Sequence, residues 1–353
     1  MTAIVANRTE DYERLGLDPV LVAPWEDGLR TGAVDGTFEW WYLDCHLEDG
    51  STLTIELHTK PPYLSPSSPL TPFVWITLDR PDGDPIQRSA THPAGAFSAS
   101  VEACDVRIGP NSFRVAGQQC DVHVEIDDVV IDVQLTAEVP PWRPGTGHVL
   151  FGDDAADYIA WLPSMSRAAA EVTLTVAGTT EHLRGAGYHD HNWGNIAPRK
   201  ILDHWYWGRA RLGDVTIVTL LFICDEVHDK QPIPVVMLAR DGSILVNALG
   251  PQRVSFEEHG HRRNGVTGVP VARTLTYEVE ADGLTFVITF EHRRDGFMLD
   301  FGAHGAYHRL LGEVTLQCRS GDDIIEERSG QTMWELLYFG ARSASLGVQG
   351  GSQ

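Results

Sequence analysis

The chain has 353 residues, roughly twice a typical domain, which excludes a single small module and leaves two domains or one large β architecture. Hydrophobic residues at 42% and charged residues at 22% supply a substantial core and exclude a disordered chain. With 49 acidic against 27 basic side chains the formal charge is −22, a field that repels phosphate backbones and anionic headgroups, so neither nucleic acid nor an electrostatic membrane partner is expected.

Residues 1–36 read as an N-terminal extension. They open MTAIVANRTEDYERLGLDP, without the charged-then-apolar pattern of a signal peptide, and no apolar run in the chain approaches the roughly 18 residues of a membrane helix. A cytoplasmic, soluble protein is expected, with no stable membrane insertion; a transient peripheral contact stays open. The first β domain is assigned to residues 37–180. It begins with Glu39, Trp40, Trp41, Tyr42, Leu43 and Asp44, where three successive rings must be shared between both faces of a strand. An ordinary core strand needs one aromatic face, whereas a strand between a core and an apolar ligand cavity uses two.

Period-two alternation follows in 53–57 (LTIEL), 122–126 (VHVEI), 171–176 (EVTLTV), 215–221 (VTIVTLL), 275–280 (LTYEVE) and 284–290 (LTFVITF), the signature of antiparallel β structure. Asp49-Gly50, Gly213-Asp214, Asp241-Gly242 and Asp282-Gly283 each suit a tight hairpin with positive φ. The five-proline loop 60–72 excludes a central strand and reads as a lid or an ordinary connection. Residues 39–57 and 204–221 share a layout of aromatic cluster, strand, acidic-Gly turn and alternating strand. This indicates two similar β domains, divided near 178–186, with the second domain over 181–353. Residues 332–339 (TMWELLYF) fit a short C-terminal helix or a last strand. Cys45, Cys104, Cys120, Cys224 and Cys318 are scattered, lack a Cys-x-x-Cys pair, and read as reduced core residues.

The densest chemistry lies in residues 185–194, GAGYHDHNWG. In an extended strand Tyr188, Asp190 and Asn192 share one face while His189, His191 and Trp193 share the other. An Asp beside a phenol and an amide in a poorly solvated cavity stays protonated near neutral pH, as a general acid must. The His-x-His face could chelate a metal with His182 or His204, but the expected carboxylate motif is missing, so hydrogen-bonded structural histidines are the preferred reading and no metal is assigned. A Gly-x-Ser-x-Gly elbow, a phosphate loop and a dinucleotide fingerprint are all absent from the sequence. Its three lysines, Lys60, Lys200 and Lys230, stand in no Schiff-base motif.

EWWYLD at 39–44 and GYHDHNWG at 187–194 resemble the lipocalin-like family of the bacterial carotenoid 1,2-hydratases (hydroxyneurosporene synthases) and the fungal Diels-Alderases that form decalins, over roughly residues 36–340. The resemblance implies two consecutive calycin-type antiparallel β-barrel or sandwich domains, an elongated apolar pocket in or between them, and no metal or organic cofactor. Asp190, supported by Tyr188, then corresponds to the acid that protonates a terminal double bond. Trp161 matches the family, whereas Ile159 stands where a histidine is expected, which puts strict carotenoid hydration in doubt. In the cyclase branch Asp190, Tyr188 or Asn192 would hydrogen-bond a substrate carbonyl. The candidate catalytic residues are Asp190, Tyr188 and Asn192; the candidate substrate-binding residues are Trp40, Trp41, Tyr42, Trp161, Trp193, Trp205, Trp207, His189 and His191. Two functions follow: an enzyme that hydrates or cyclises an unsaturated apolar molecule, and a non-catalytic carrier of lipophilic ligands in which the same polar residues pin the domain junction.

Overall fold

The computed structural model describes residues 3–62, 64–152 and 154–340. The alternation seen in the sequence resolves into two large, curled antiparallel sheets, of thirteen and nine strands. The all-β lipocalin-like architecture expected from the sequence is what forms. Among the described residues no helix is long and apolar enough to cross a membrane.

Both sheets are wound alike. In the first, the strand Phe38–Leu47 opens a meander through Thr52–His58, Phe73–Asp79 and Ile86–Thr91, and its other edge is closed by the last strand of the sheet, Thr179–Gly194. In the second, Leu202–Leu212 leads through Val215–Cys224, Pro232–Arg240 and Ser243–Leu249, and its other edge is closed by the last strand, Asp323–Tyr338. The two segments with a shared sequence layout are thus the opening hairpins of the two sheets. All four acidic-Gly turns form between paired strands, and at Asp241-Gly242 and Asp282-Gly283 both residues have positive φ, as the right-handed twist of a two-residue hairpin demands.

One expectation is corrected, and one open alternative resolves to a strand. Thr179–Gly194 belongs to the first sheet, paired with both Asp157–Val176 and Phe38–Leu47, so the break between the sheets falls at residues 195–201 and not at 180/181. The turn signals there are Ala177 (φ 47) and Gly178 (φ 82), a hairpin inside the sheet; turn chemistry does not distinguish a hairpin from a linker. Residues 332–339 form no helix: Thr332–Tyr338 complete the last strand, with Trp334, Leu336 and Tyr338 in the second core. Among the described residues an α-helix forms at Thr9–Leu15, in the extension.

Each sheet wraps its own core. Trp41, Leu43, Cys45, Ile55 and Val124 pack in the first; Tyr206, Tyr277, Phe290, Trp334 and Leu336 pack in the second. The five cysteines are buried and form no disulfide. Because side chains alternate along a strand, the residues between these core positions face the other sheet: Tyr42, Trp161 and Tyr188 from the first meet Trp207, Val218, Leu220 and Val235 from the second in a third apolar cluster. Two buried arginines cross this junction, Arg209 to Asp44 and Arg309 to Asp79 and Thr77.

Candidate active site

The junction encloses a cavity of two adjoining chambers. The smaller, about 100 Å³, is walled by Trp40, Tyr42, Ile159, Trp161, Asp190, Asn192, Trp205 and Trp207. The larger, about 170 Å³, shares Phe38, Trp40, Tyr42, Trp205 and Glu335 with it and extends along Pro61, Pro62, Leu64 and Pro66 to Phe301 and Phe339. The proline-rich loop therefore forms one wall. It is tied down by Lys60, whose ammonium donates to the carbonyls of Val34, Thr37 and Pro66 at 2.8–3.0 Å.

Asp190 is the polar centre of the smaller chamber, 5% exposed. It sits opposite Tyr42 in the pairing of Thr179–Gly194 with Phe38–Leu47, while Trp161 pairs with Asn192 on the other side. Three donors converge on its carboxyl group: Trp161 Nε1 at 2.7 Å and the Tyr188 hydroxyl at 2.9 Å reach Oδ2, and Asn192 Nδ2 reaches Oδ1 at 2.7 Å. Burial raises its pKa from 3.8 to about 6, against the three hydrogen bonds, which lower it. The group therefore changes protonation near neutral pH, as a proton carrier must. Trp161→Phe keeps a ring in the wall but removes one anion-stabilising donor. The Asp190 pKa should then rise above about 6, read from the carboxyl ¹³C shift over a pH titration.

The sequence candidates divide cleanly by face. Trp40, Tyr42, Trp161, Trp205 and Trp207 line the cavity with Asp190 and Asn192, and Tyr188 is buried behind Asp190, its ring 5.0 Å from that of Trp207. Four candidates are corrected, because strand alternation turns them away from the chambers. Trp41 is in the first core, stacked on His191 at 4.7 Å and donating to the Asp27 carbonyl. His189 and His191 bond separate carboxylates, Asp27 at 3.0 Å and Glu39 at 2.8 Å, and Trp193 packs against His191 and Leu162. No His-x-His chelate with His182 or His204 is assembled: His182 contacts Thr173 and His204 contacts Asp203. The described residues with the geometry nearest to a ligand set are Asp27, Cys104 and His189, with candidate atoms within 4.8 Å of one another, but Asp27 and His189 already bond each other on the face away from Asp190.

Among the cavity residues missed by sequence reasoning, His148 and Glu335 lie in the same chamber as Asp190. His148 lines the smaller chamber on the strand beside Ile159; burial lowers its pKa to about 4, so it stands there as a neutral imidazole. Glu335 lines both chambers, and burial raises its pKa to about 7. A glutamate at a strand position flanked by Trp334 and Leu336 was the available signal, since it requires a polar or cavity-facing side opposite the core.

Residues 111–309 match the family model described as Diels-Alderase-like. The chain belongs to this Diels-Alderase-like family. A curated relative, the quinolone epoxide rearrangement protein penF of Penicillium thymicola, is 26% identical over 176 residues, covering 49% of this chain and 45% of that protein. The chain spans about half the length of the curated relatives it matches. Two solved structures share the fold: CghA with Sch210972 (TM-score 0.67, 16% identity, 92% of this chain and 97% of that one) and kievitone hydratase from Nectria haematococca (TM-score 0.59, 13% identity, 91% and 94%). For this Diels-Alderase-like chain, the matched stretch contains Trp161, Tyr188, Asp190, Asn192, Trp205 and Trp207, while the cavity residues Trp40, Tyr42 and Glu335 lie outside it.

Proposed function

We propose that the chain is a cofactor-independent enzyme that holds an elongated, largely apolar, unsaturated molecule between its two sheets and cyclises or hydrates it with proton assistance from Asp190. The observation that carries this reading is a buried carboxyl group, held by three donors, in the wall of an aromatic chamber, where burial raises its pKa to about 6. Substrate filling that chamber excludes the remaining water and raises the carboxyl pKa further, so the acid is protonated when it meets the guest. Trp161, Tyr188 and Asn192 fix its direction and stabilise the carboxylate left after transfer. Trp40, Trp205 and Trp207 line the chamber around the resulting cation, and the aromatic walls hold the chain in a near-attack shape.

The Diels-Alderase-like family supports cyclisation of an unsaturated natural product, and the epoxide rearrangement for which penF is named is a transformation that a buried acid suits. Ile159 in the cavity wall leaves the acid without the histidine that the carotenoid hydratases would place there, which favours cyclisation over carotenoid hydration. The test is incubation of the purified protein with a panel of linear polyenes, polyene amides and epoxides, followed by mass spectrometry. A new product of unchanged mass marks cyclisation or rearrangement, and a gain of one water marks hydration. Guests that bind but are all recovered unchanged would make the protein a carrier and overturn the reading.

A further inference from the structure

Glu335 projects from the last strand onto the face that meets the first sheet, because its neighbours Trp334 and Leu336 enter the second core. It stands between Trp207 and Arg309 in the strand pairings and lines both chambers, whereas Asp190 lines only the smaller. Its contacts are lopsided. Oε1 accepts from the Tyr42 hydroxyl at 3.3 Å and from the Tyr307 hydroxyl, and the Arg309 guanidinium lies 4.0 Å away. Among the described residues Oε2 makes no hydrogen bond. Glu39, a structural carboxylate, uses both oxygens: its Oε1 accepts from the Arg30 amide and binds His191, and its Oε2 accepts from the Thr31 amide and hydroxyl. Asp44 leaves Oδ2 unpaired, but lines neither chamber, whereas Glu335 lines both. Glu335 is held in direction by one oxygen while the other keeps its lone pairs in a cavity wall.

We propose that Glu335 is the second catalytic carboxyl of this site, the proton acceptor that works opposite Asp190. This rests on the reading of Asp190 as donor. Protonation breaks the Asp190 O–H bond and forms a C–H or O–H bond on the substrate, leaving a cation. The cation then loses a proton to Glu335 Oε2, either from an adjacent carbon, whose C–H electron pair becomes a new double bond, or from a captured water, whose remaining O–H becomes the product hydroxyl. One proton has passed from Asp190 to Glu335, no electrons have changed hands, and exchange with solvent resets the pair. Arg309 and the Tyr307 hydroxyl offset only part of the burial of Glu335, whose pKa stays raised to about 7, so the acceptor is its ionised fraction, which grows as pH rises through that value.

The proposal is tested with two probes of one shape, the geranyl trimethylammonium ion and neutral geraniol, titrated against tryptophan fluorescence. The wild-type protein should prefer the cation, and increasingly so as pH rises through about 7. Glu335→Gln should reduce that preference by about tenfold and remove the rise near pH 7, leaving the rise near pH 6 that belongs to Asp190. Arg309 and Tyr307 on the neighbouring strand, Tyr42, Asp44 and Glu56 on the first sheet, and the chamber-wall groups Asp190, His148, His58 and His304 are unchanged in that variant, so the difference between the two proteins isolates this carboxyl group. Glu335→Asp keeps a carboxylate and should retain the preference, which also covers a Gln variant that fails to fold. On a substrate found by the mass-spectrometric panel, Glu335→Gln should lower kcat by about 10²-fold with little change in KM. An unchanged cation preference in Glu335→Gln, its loss in folded Glu335→Asp, or an unchanged kcat overturns the proposal. Wild-type protein that does not bind even geraniol would instead refute the cavity reading of the proposed function.

Discussion

Asp190→Asn is expected to lower turnover by about 10²–10⁴-fold while leaving apolar probes bound with near wild-type affinity. The amide occupies the volume of the carboxyl group and still offers an oxygen to Trp161 Nε1 or Tyr188, but it has no proton to transfer. A reaction driven only by confinement would slow modestly instead, so the size of the loss separates acid catalysis from shape alone. A second readout is independent of substrate. Folding raises the Asp190 pKa from 3.8 to about 6, so the native state binds the proton more tightly than the unfolded chain does. That preference stabilises the fold below about pH 4, is lost progressively as pH rises to about 6, and is fully absent above it. An amide does not titrate. The melting temperature of Asp190→Asn relative to wild type should therefore climb between pH 4 and pH 7 and then level off. A difference that stays flat across this range, with turnover unimpaired, would remove Asp190 from the mechanism.

How much of this was legible beforehand depends on the range of the interaction. Tyr188, Asp190 and Asn192 share a face because alternation is a local property of a strand, and that face was read correctly from three positions. The same rule puts His189, His191 and Trp193 on the opposite face, and it separates Trp41 from Trp40 and Tyr42, so rings and imidazoles dense in sequence are divided between core and cavity. Whether a face looks into a core or a cavity is set by what packs there, and Asp27, 162 residues from His189, is invisible to periodicity. Glu335 was missed for the same reason. Tyr42 lies 293 residues away in sequence, and the chamber exists only because two separately wound sheets meet. The opening hairpins were recognisable as equivalent because aromatic cluster, acidic-Gly turn and alternation are all local. The domain division was displaced because the Ala177-Gly178 hairpin and a linker carry the same signal.

The meeting of the sheets itself makes the last prediction. Arg209, from the second sheet, donates through Nε to Asp44 of the first at 2.7 Å and also through Nη2, and reaches the Ala186 carbonyl at 3.2 Å. Both side chains are almost wholly buried, and Asp44 Oδ2 makes no hydrogen bond among the described residues. Arg209→Met would strand the Asp44 carboxylate in the junction, a change expected to cost ~3–5 kcal/mol in chemical denaturation. Replacing both partners, Asp44→Leu with Arg209→Met, removes both desolvated charges and fills the space with apolar atoms, so most of that loss should be recovered. The contrast matters more than either value. If the pair acted only as a tether, the double variant would be as unstable as the single one; if desolvation dominates, the double variant approaches wild type. In that second case the pair's contribution is directional, because the guanidinium also lies 5.8 Å over the Tyr188 ring, and Tyr188 holds Asp190. The apolar double variant should then fold normally yet titrate Asp190 over a broader pH range, a consequence measurable by the same carboxyl ¹³C shift.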